Sequence, residues 1–138
     1  MSPRAFSIDE IKAKLAPLFE EEALQFVLLF GSQSSGQVHP ESDIDLGFLY
    51  DDPVDLLDLT NNVIRHLRQD RVDVVDLRRA NALLCYSAVR QGSLLYERCP
   101  GLFNRFYSLS FRRYVDTKKL RDARQRAIDT FLAARGSK

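Results

Sequence analysis

The stretch LLFGSQSSGQVHPESDIDLGFLY, residues 28–50, passes from an apolar run through small polar residues into a second apolar run that contains two aspartates. The first run, QFVLLF at residues 25–30, is short and continuous, which is typical of a buried strand. The second run, SDIDLGFLY at residues 42–50, alternates and predicts another strand, with apolar side chains on one face and carboxylates on the other. The two faces hold Ile44, Leu46 and Phe48 on one side and Asp43 and Asp45 on the other.

Helical and strand patterns alternate around these two runs. The run SIDE at residues 7–10 has the form of a capping box and predicts a helix over residues 8–22, which Pro17 bends or breaks. The run SLLYE, residues 93–97, is too short to assign. The other predicted elements are a helix after Pro53, a strand at 71–77, a helix at 80–91 and a helical tail at 102–134 in one or two pieces. This order predicts an α/β (α+β) domain with a small mixed β-sheet flanked by helices.

The length, charge and composition of the whole chain limit the classes of protein to which it can belong. Its 138 residues suffice for one domain with a hydrophobic core, and its net charge of +1 predicts neither a nucleic-acid binder nor a binder of acidic partners. Cys85 and Cys99 lack metal-type spacing, so we expect reduced thiols, with Cys85 in the core. Because the sequence has neither an apolar segment of membrane-spanning length nor the apolar region of a signal peptide, we expect a cytoplasmic protein.

The two aspartates of the second strand point to a metal and a nucleotide. Two carboxylates in one small volume cost free energy unless a cation lies between them, and Mg²⁺ suits such oxygen ligands while keeping places for substrate phosphates. Before them, Gly31 lets a ligand approach the backbone closely, and Ser32 offers a hydroxyl and a backbone N–H. A phosphate-binding loop followed by metal-binding carboxylates predicts a site for a nucleoside triphosphate.

A second metal ion needs a further ligand, and the strand at residues 71–77 offers Asp73 and Asp76. These two are three residues apart, so on a regular strand they face opposite sides and only one can join the pair. Asp73 lies in mid-strand between valines. Asp76 lies near the strand end, where it could cap the next helix or pair with a nearby arginine. We favour Asp73 as the third carboxylate and keep Asp76 as the alternative.

The run GSQSSGQVHPESDIDL, a Gly-Ser pair followed after ten residues by Asp-x-Asp, resembles the signature of the polymerase-β-type nucleotidyltransferase superfamily. Its spacing is similar to that of the minimal nucleotidyltransferase (MNT) group. The run RVDVVDLRRANALLCYSAVRQGSLLYE, residues 71–97, resembles the antitoxins of HEPN/MNT toxin–antitoxin pairs. The resemblance covers residues 26–97 and implies a nucleotidyltransferase fold, two Mg²⁺ ions and ATP as substrate. The implied reaction is transfer of AMP, with release of pyrophosphate, to a tyrosine hydroxyl of a partner HEPN ribonuclease toxin, which neutralises the toxin.

The resemblance also implies a role for each residue of the motif. Gly31 and Ser32 would contact the nucleotide phosphates. Asp43 and Asp45 would bind the metal ions. Asp73 would complete the metal site and help to deprotonate the acceptor hydroxyl. The catalytic residues that the resemblance implies are therefore these three aspartates.

The C-terminal part of the chain suggests how the acceptor is held. We expect a minimal nucleotidyltransferase domain at residues 1–100 and a helical extension at residues 101–138 that packs on the core, binds the partner, or does both. Aromatic residues recur in the extension at helical spacing, and its basic residues are interleaved with acidic ones, so direct nucleic-acid binding is not expected. Related aminoglycoside and tRNA-tailing enzymes carry further domains that hold the acceptor. Here about forty residues follow the core, so a second protein would supply it.

Two other functions stay open on the sequence. The chain could be a non-catalytic antitoxin that blocks the toxin sterically, or a small-molecule nucleotidyltransferase of the aminoglycoside type. Loss of the acidic residues would leave steric neutralisation intact, and a small-molecule enzyme would act without a protein partner.

Overall fold

A computed structural model describes residues 7–30 and 44–136. The helices are α1 (Ile8–Leu15), α2 (Leu56–Leu67), α3 (Ala82–Gln91) and α4 (Leu102–Gly136), and a short 3-10 helix (Ala16–Glu20) follows α1. The strands are β1 (Leu24–Phe30), β2 (Ile44–Tyr50), β3 (Val72–Asp76) and β4 (Ser93–Glu97). In the described residues, none of the helices combines the length and the apolar composition needed to cross a membrane.

The four strands form one sheet in the order β3-β2-β1-β4. β1 pairs antiparallel with both β2 and β4, whereas β2 and β3 run parallel. A parallel pair needs a crossover connection, and α2 supplies it between β2 and β3. This arrangement confirms the predicted mixed sheet flanked by helices.

A helical layer covers each face of the sheet. On one face, the alternate apolar residues of β2 lie in a buried cluster with residues of α1 and α2, including Ile11, Leu15 and Val63. On the other face, Phe26 and Leu28 of β1 are fully buried against α3 and the start of α4. The alternation along β2 that the sequence predicted therefore decides which side chains face α1 and α2.

The first helix is shorter than the predicted range of residues 8–22. Its start is as predicted, because the Ser7 hydroxyl accepts a hydrogen bond from the backbone N–H of Glu10 at 3.1 Å. It ends at Leu15, and Pro17 lies in the first turn of the 3-10 helix that follows. Proline lacks a backbone N–H and its ring clashes with the carbonyl four residues earlier, so the α-helix cannot continue through it.

The C-terminal region holds one strand and one helix. The unassigned run SLLYE is β4, which completes the sheet beside β1. The tail is a single helix of 35 residues, so the alternative of two pieces is wrong. A Glu97 carboxylate oxygen accepts a hydrogen bond from the backbone N–H of Phe103 at 2.8 Å, which ties the first turn of α4 to the end of β4.

Candidate active site

Asp45 and Asp73 lie side by side at one end of the parallel pair. Asp45 of β2 is in register with Asp73 of β3, and adjacent strands are about 4.8 Å apart. Their neighbours Ile44 and Val72 point into the α1/α2 cluster, so both carboxylates project from the opposite face of the sheet. Asp45 is half-buried and Asp73 is exposed. The structure therefore places two neighbouring carboxylates on the same face of the sheet, at the end where β2 and β3 begin.

β1 ends at this same end of the sheet. Phe30, the last residue of β1, pairs with Asp45, so the β1 terminus and the start of β2 lie together. Along the chain, Gly31 follows Phe30 directly and Asp43 directly precedes β2. Gly31, Ser32 and Asp43 lie outside the described residues, and their proposed roles stay predictions.

Asp76 lies at the other end of β3, on the opposite face of the sheet. Its carboxylate accepts a hydrogen bond from the backbone N–H of Arg78 at 3.1 Å, and its main-chain oxygen accepts from the N–H groups of Arg79 and Ala80. Asp76 is only 8% exposed and therefore shapes the turn that leads to α3. It also borders a cleft of about 560 Å³ at this far end, together with Asp55 and Arg79. Of the two candidates for a third carboxylate, the structure brings Asp73, and not Asp76, beside Asp45.

The donor chemistry of the paired aspartates fits Mg²⁺. Both groups are hard oxygen ligands on one face, and a cation would offset the repulsion between their charges. Within residues 7–30 and 44–136, no group of three or more His, Cys, Asp or Glu side chains is arranged to hold a metal ion. Of the three predicted metal ligands, the described residues thus bring together Asp45 and Asp73, and the role of Asp43 stays a prediction.

Gly47 is a positioning residue that the motif did not reveal. It follows Asp45 by two residues and faces the same side of β2. A Cβ atom built on Gly47 would lie 3.1–3.3 Å from the side-chain carbons of Leu77, which is 1% exposed and packs under α3. The absence of a side chain on Gly47 therefore leaves room for Leu77 to pack between β2 and α3. A glycine inside an apolar strand is the sequence signal for such close packing.

Cys85 is a core residue and not a nucleophile. Its Sγ donates to the main-chain oxygens of Leu77 and Ala80, at 3.5 Å in each case. Burial raises the pKa of the thiol, and the nearby Arg113 guanidinium offsets this only in part. Since the thiolate is the reactive form, the environment of Cys85 keeps it inert. The predicted core position of Cys85 is confirmed.

Comparison with known proteins places this geometry in a family. The sequence model of the family described as polymerase beta, nucleotidyltransferase matches residues 13–100. A curated relative, protein adenylyltransferase MntA from Aphanizomenon flos-aquae, is 26% identical over 121 residues, covering 79% of this chain and 81% of the relative. Protein adenylyltransferase MntA from Shewanella oneidensis is 42% identical over 76 residues, covering 53% of this chain and 54% of the relative.

Solved structures of toxin–antitoxin proteins are also similar to this chain. A toxin–antitoxin structure with AMP-PNP matches with a TM-score of 0.70 and 32% identity, covering 88% of this chain and 98% of that one. A tri-AMPylated Shewanella oneidensis HEPN toxin in complex with its MNT antitoxin matches with a TM-score of 0.68 and 29% identity, covering 91% and 98% of the two chains. With its paired strand aspartates and its matching domain, the chain belongs to the polymerase beta nucleotidyltransferase family.

Proposed function

We propose that this chain is an antitoxin and a protein adenylyltransferase that transfers AMP from ATP to a tyrosine hydroxyl of a cognate HEPN ribonuclease toxin. The observation that carries the proposal is the in-register pair of Asp45 and Asp73 at the edge where β1 ends. Support comes from the curated relatives, both protein adenylyltransferases, and from a similar solved complex whose toxin is tri-AMPylated. Since ribonuclease toxins act on cellular RNA, we place the reaction in the cytoplasm.

The proposed reaction is an in-line displacement at the α-phosphorus of ATP. The acceptor oxygen forms a new bond to this phosphorus, the bond to the β-phosphate bridging oxygen breaks, and pyrophosphate leaves. Asp73, the more exposed of the pair, accepts the proton of the attacking hydroxyl. Gly31 and Ser32 contact the phosphates, and most of the rate enhancement comes from orientation and electrostatic stabilisation.

Asp43, Asp45 and Asp73 would hold two Mg²⁺ ions in this proposal. When bound, the ions supply positive charge that stabilises the triphosphate and the attacking and leaving oxygens. The half-buried position of Asp45 suits the ligand that stays fixed, because the main chain on both sides holds its strand in place. The exposed position of Asp73 leaves room for an acceptor side chain from another protein.

Intact mass spectrometry tests the proposal directly. The purified HEPN toxin is incubated with this chain, ATP and Mg²⁺, and a gain of one or more AMP units is expected on the toxin. Asp45→Asn and Asp73→Asn should each abolish the gain. Asp51→Asn is the matched control, because it removes an exposed carboxylate just beyond the far end of the same strand as Asp45. A toxin of unchanged mass, with a stable complex and intact ATP, would overturn the catalytic proposal.

Steric neutralisation is the second candidate, because α4 carries large exposed apolar residues that could cover a partner. It predicts that the Asp45→Asn/Asp73→Asn variant still rescues cells that express the toxin. If rescue is lost while the complex persists, AMP transfer is the essential activity.

A further inference from the structure

The C-terminal half of α4 differs sharply from its first half. Phe103 and Phe106 pack edge-on against Phe26 of the sheet, with ring centroids at 5.7 and 5.2 Å. Tyr114 stacks on Tyr86 of α3 at 4.6 Å. Beyond this point we call residues 117–135 the distal segment, and every residue of its last fourteen, 122–135, is exposed. The helix thus continues well past the body of the domain.

The distal segment carries large apolar side chains on the helix face that packs on the domain earlier in α4. Ile128 and Leu132 follow Tyr114 by fourteen and eighteen residues, which is about four and five helical turns. Ile128, Phe131 and Leu132 are 44%, 58% and 59% exposed. This face is polar at Thr117, Arg121 and Gln125, and it becomes apolar again at Ile128. Three large exposed apolar side chains within about one helical turn, with no covering element in the described part of the chain, indicate an interaction surface.

Beyond Arg121, which donates to the main-chain oxygen of Tyr114 at 3.0 Å, local contacts hold the distal segment only weakly. Lys118 pairs with Asp122 at 2.8 Å in an exposed ion pair, and Gln125 donates to Asp129 at 3.0 Å. Exposed pairs of this kind contribute little to helix stability. In proteins, most of the stability of a helix comes from tertiary packing of an apolar face. Packing against another surface would supply the helix stability that these contacts do not provide.

The charge of the distal segment argues against a second copy of this chain as the occupant. The segment has six basic and two acidic residues, a net charge of +4. Two such segments repel each other, whereas an acidic rim on a different protein would attract one. The similar solved structures are toxin–antitoxin complexes, and the alignments with them span 88–92% of this chain.

We propose that the distal segment is the docking surface for the HEPN toxin, and that it lays Ile128, Phe131 and Leu132 into an apolar groove with an acidic rim. The proposal rests on the proposed function for the identity of the partner and adds to it the surface that holds the partner. In this proposal, the residues that bind the toxin are distinct from those that transfer AMP. The binding residues belong to α4, whereas Asp45 and Asp73 lie on the sheet.

The test is a titration of the toxin with the Asp45→Asn/Asp73→Asn protein, so that no AMP transfer changes the partner during the measurement. Adding Ile128→Ala, Phe131→Ala and Leu132→Ala should weaken binding at least about 30-fold, the size of a hot-spot loss. Alanine favours the helix, and circular dichroism should show unchanged helix content. The matched control is Leu57→Ala/Leu83→Ala, which removes exposed leucines from α2 and α3 and should change the Kd by less than about 3-fold.

Four other outcomes distinguish failure of the docking proposal from failure of the proposed function. Equal binding by the triple-alanine protein and its parent would place the docking surface elsewhere. If light scattering shows that the wild-type chain is a dimer and that the triple-alanine chain is a monomer, the occupant is a second copy. If wild-type protein binds through the distal segment but transfers no AMP, the docking proposal stands and the catalytic one fails. If the chain does not bind the HEPN toxin, both fail.

Discussion

At the scale of single residues, register decides which aspartate can act. Asp73 and Asp76 both lie in β3, yet only Asp73 is paired with Asp45, while Asp76 serves the turn to α3. Asp73→Asn should therefore lower the rate of AMP transfer by a factor of at least about 10² with little change in stability. Asp76→Ala should cost about 1 kcal/mol of stability by freeing the N–H of Arg78, with transfer largely retained. Transfer kinetics and urea unfolding of both variants measure the difference, and an exchange of the two phenotypes would reverse the assignment.

Gly47 gives a second prediction at this scale. Gly47→Val places a branched side chain where a single Cβ would already lie 3.1 Å from Leu77. Overpacking of this kind is expected to cost about 1–3 kcal/mol, measured as a lower urea midpoint. Leu77→Ala in the same chain should recover part of that loss by making room. An unchanged midpoint for Gly47→Val alone would show that α3 can move away from the sheet.

At the scale of elements, α4 combines two roles along one helix. Removal of residues 117–138 should leave the melting temperature nearly unchanged, because the last fourteen residues of the distal segment are exposed. Removal of residues 102–138 should instead prevent folding, since it uncovers Phe26 and deletes Phe103 and Phe106. Thermal unfolding of the two truncated chains, followed by circular dichroism, measures both effects. A large loss of stability in the shorter truncation would mean that the distal segment packs on the domain.

An element could be predicted from the sequence when its own residues determine its secondary structure. β1 and β2 were predictable because their apolar patterns are strong, and α1 because its cap and Pro17 lie in the local sequence. β4 could not be assigned from five residues, since it is a strand only because β1 offers it an open edge. Alternation along the strand showed that only one of Asp73 and Asp76 can join Asp45, and the mid-strand position favoured Asp73. Only the register with β2 shows that Asp73 lies beside Asp45. Gly31, Ser32 and Asp43 stay predictions of the sequence.

At the scale of the whole molecule, two buried acids set the response to alkaline pH. Burial, with a contribution from Glu21, strongly raises the pKa of Tyr50 above its usual value of about 10, and burial raises the pKa of Cys85 above about 9. A raised pKa in the folded state contributes stability that is complete below the unfolded-state pKa and is lost as the pH rises towards the folded-state value. The free energy of unfolding should therefore begin to fall near pH 9 and fall further above pH 10. Tyr50→Phe should remove the part above pH 10, as urea titrations at each pH would show.

The order of the strands in the sheet also determines how long β1 lacks a partner strand during synthesis of the chain. β1 lies between β2 and β4, and β4 ends 67 residues after β1 does, at Glu97. At common synthesis rates the ribosome needs roughly 3–13 s to make that interval. During those seconds one edge of β1 has no partner strand. The apolar face at Phe26 is also not yet covered by α4, because α4 follows β4 along the chain. A partly made chain therefore has no complete sheet, and the distal segment leaves the ribosome later still, because it follows β4 along the chain. The proposed docking of the toxin can therefore begin only after the residues that complete the sheet have been made.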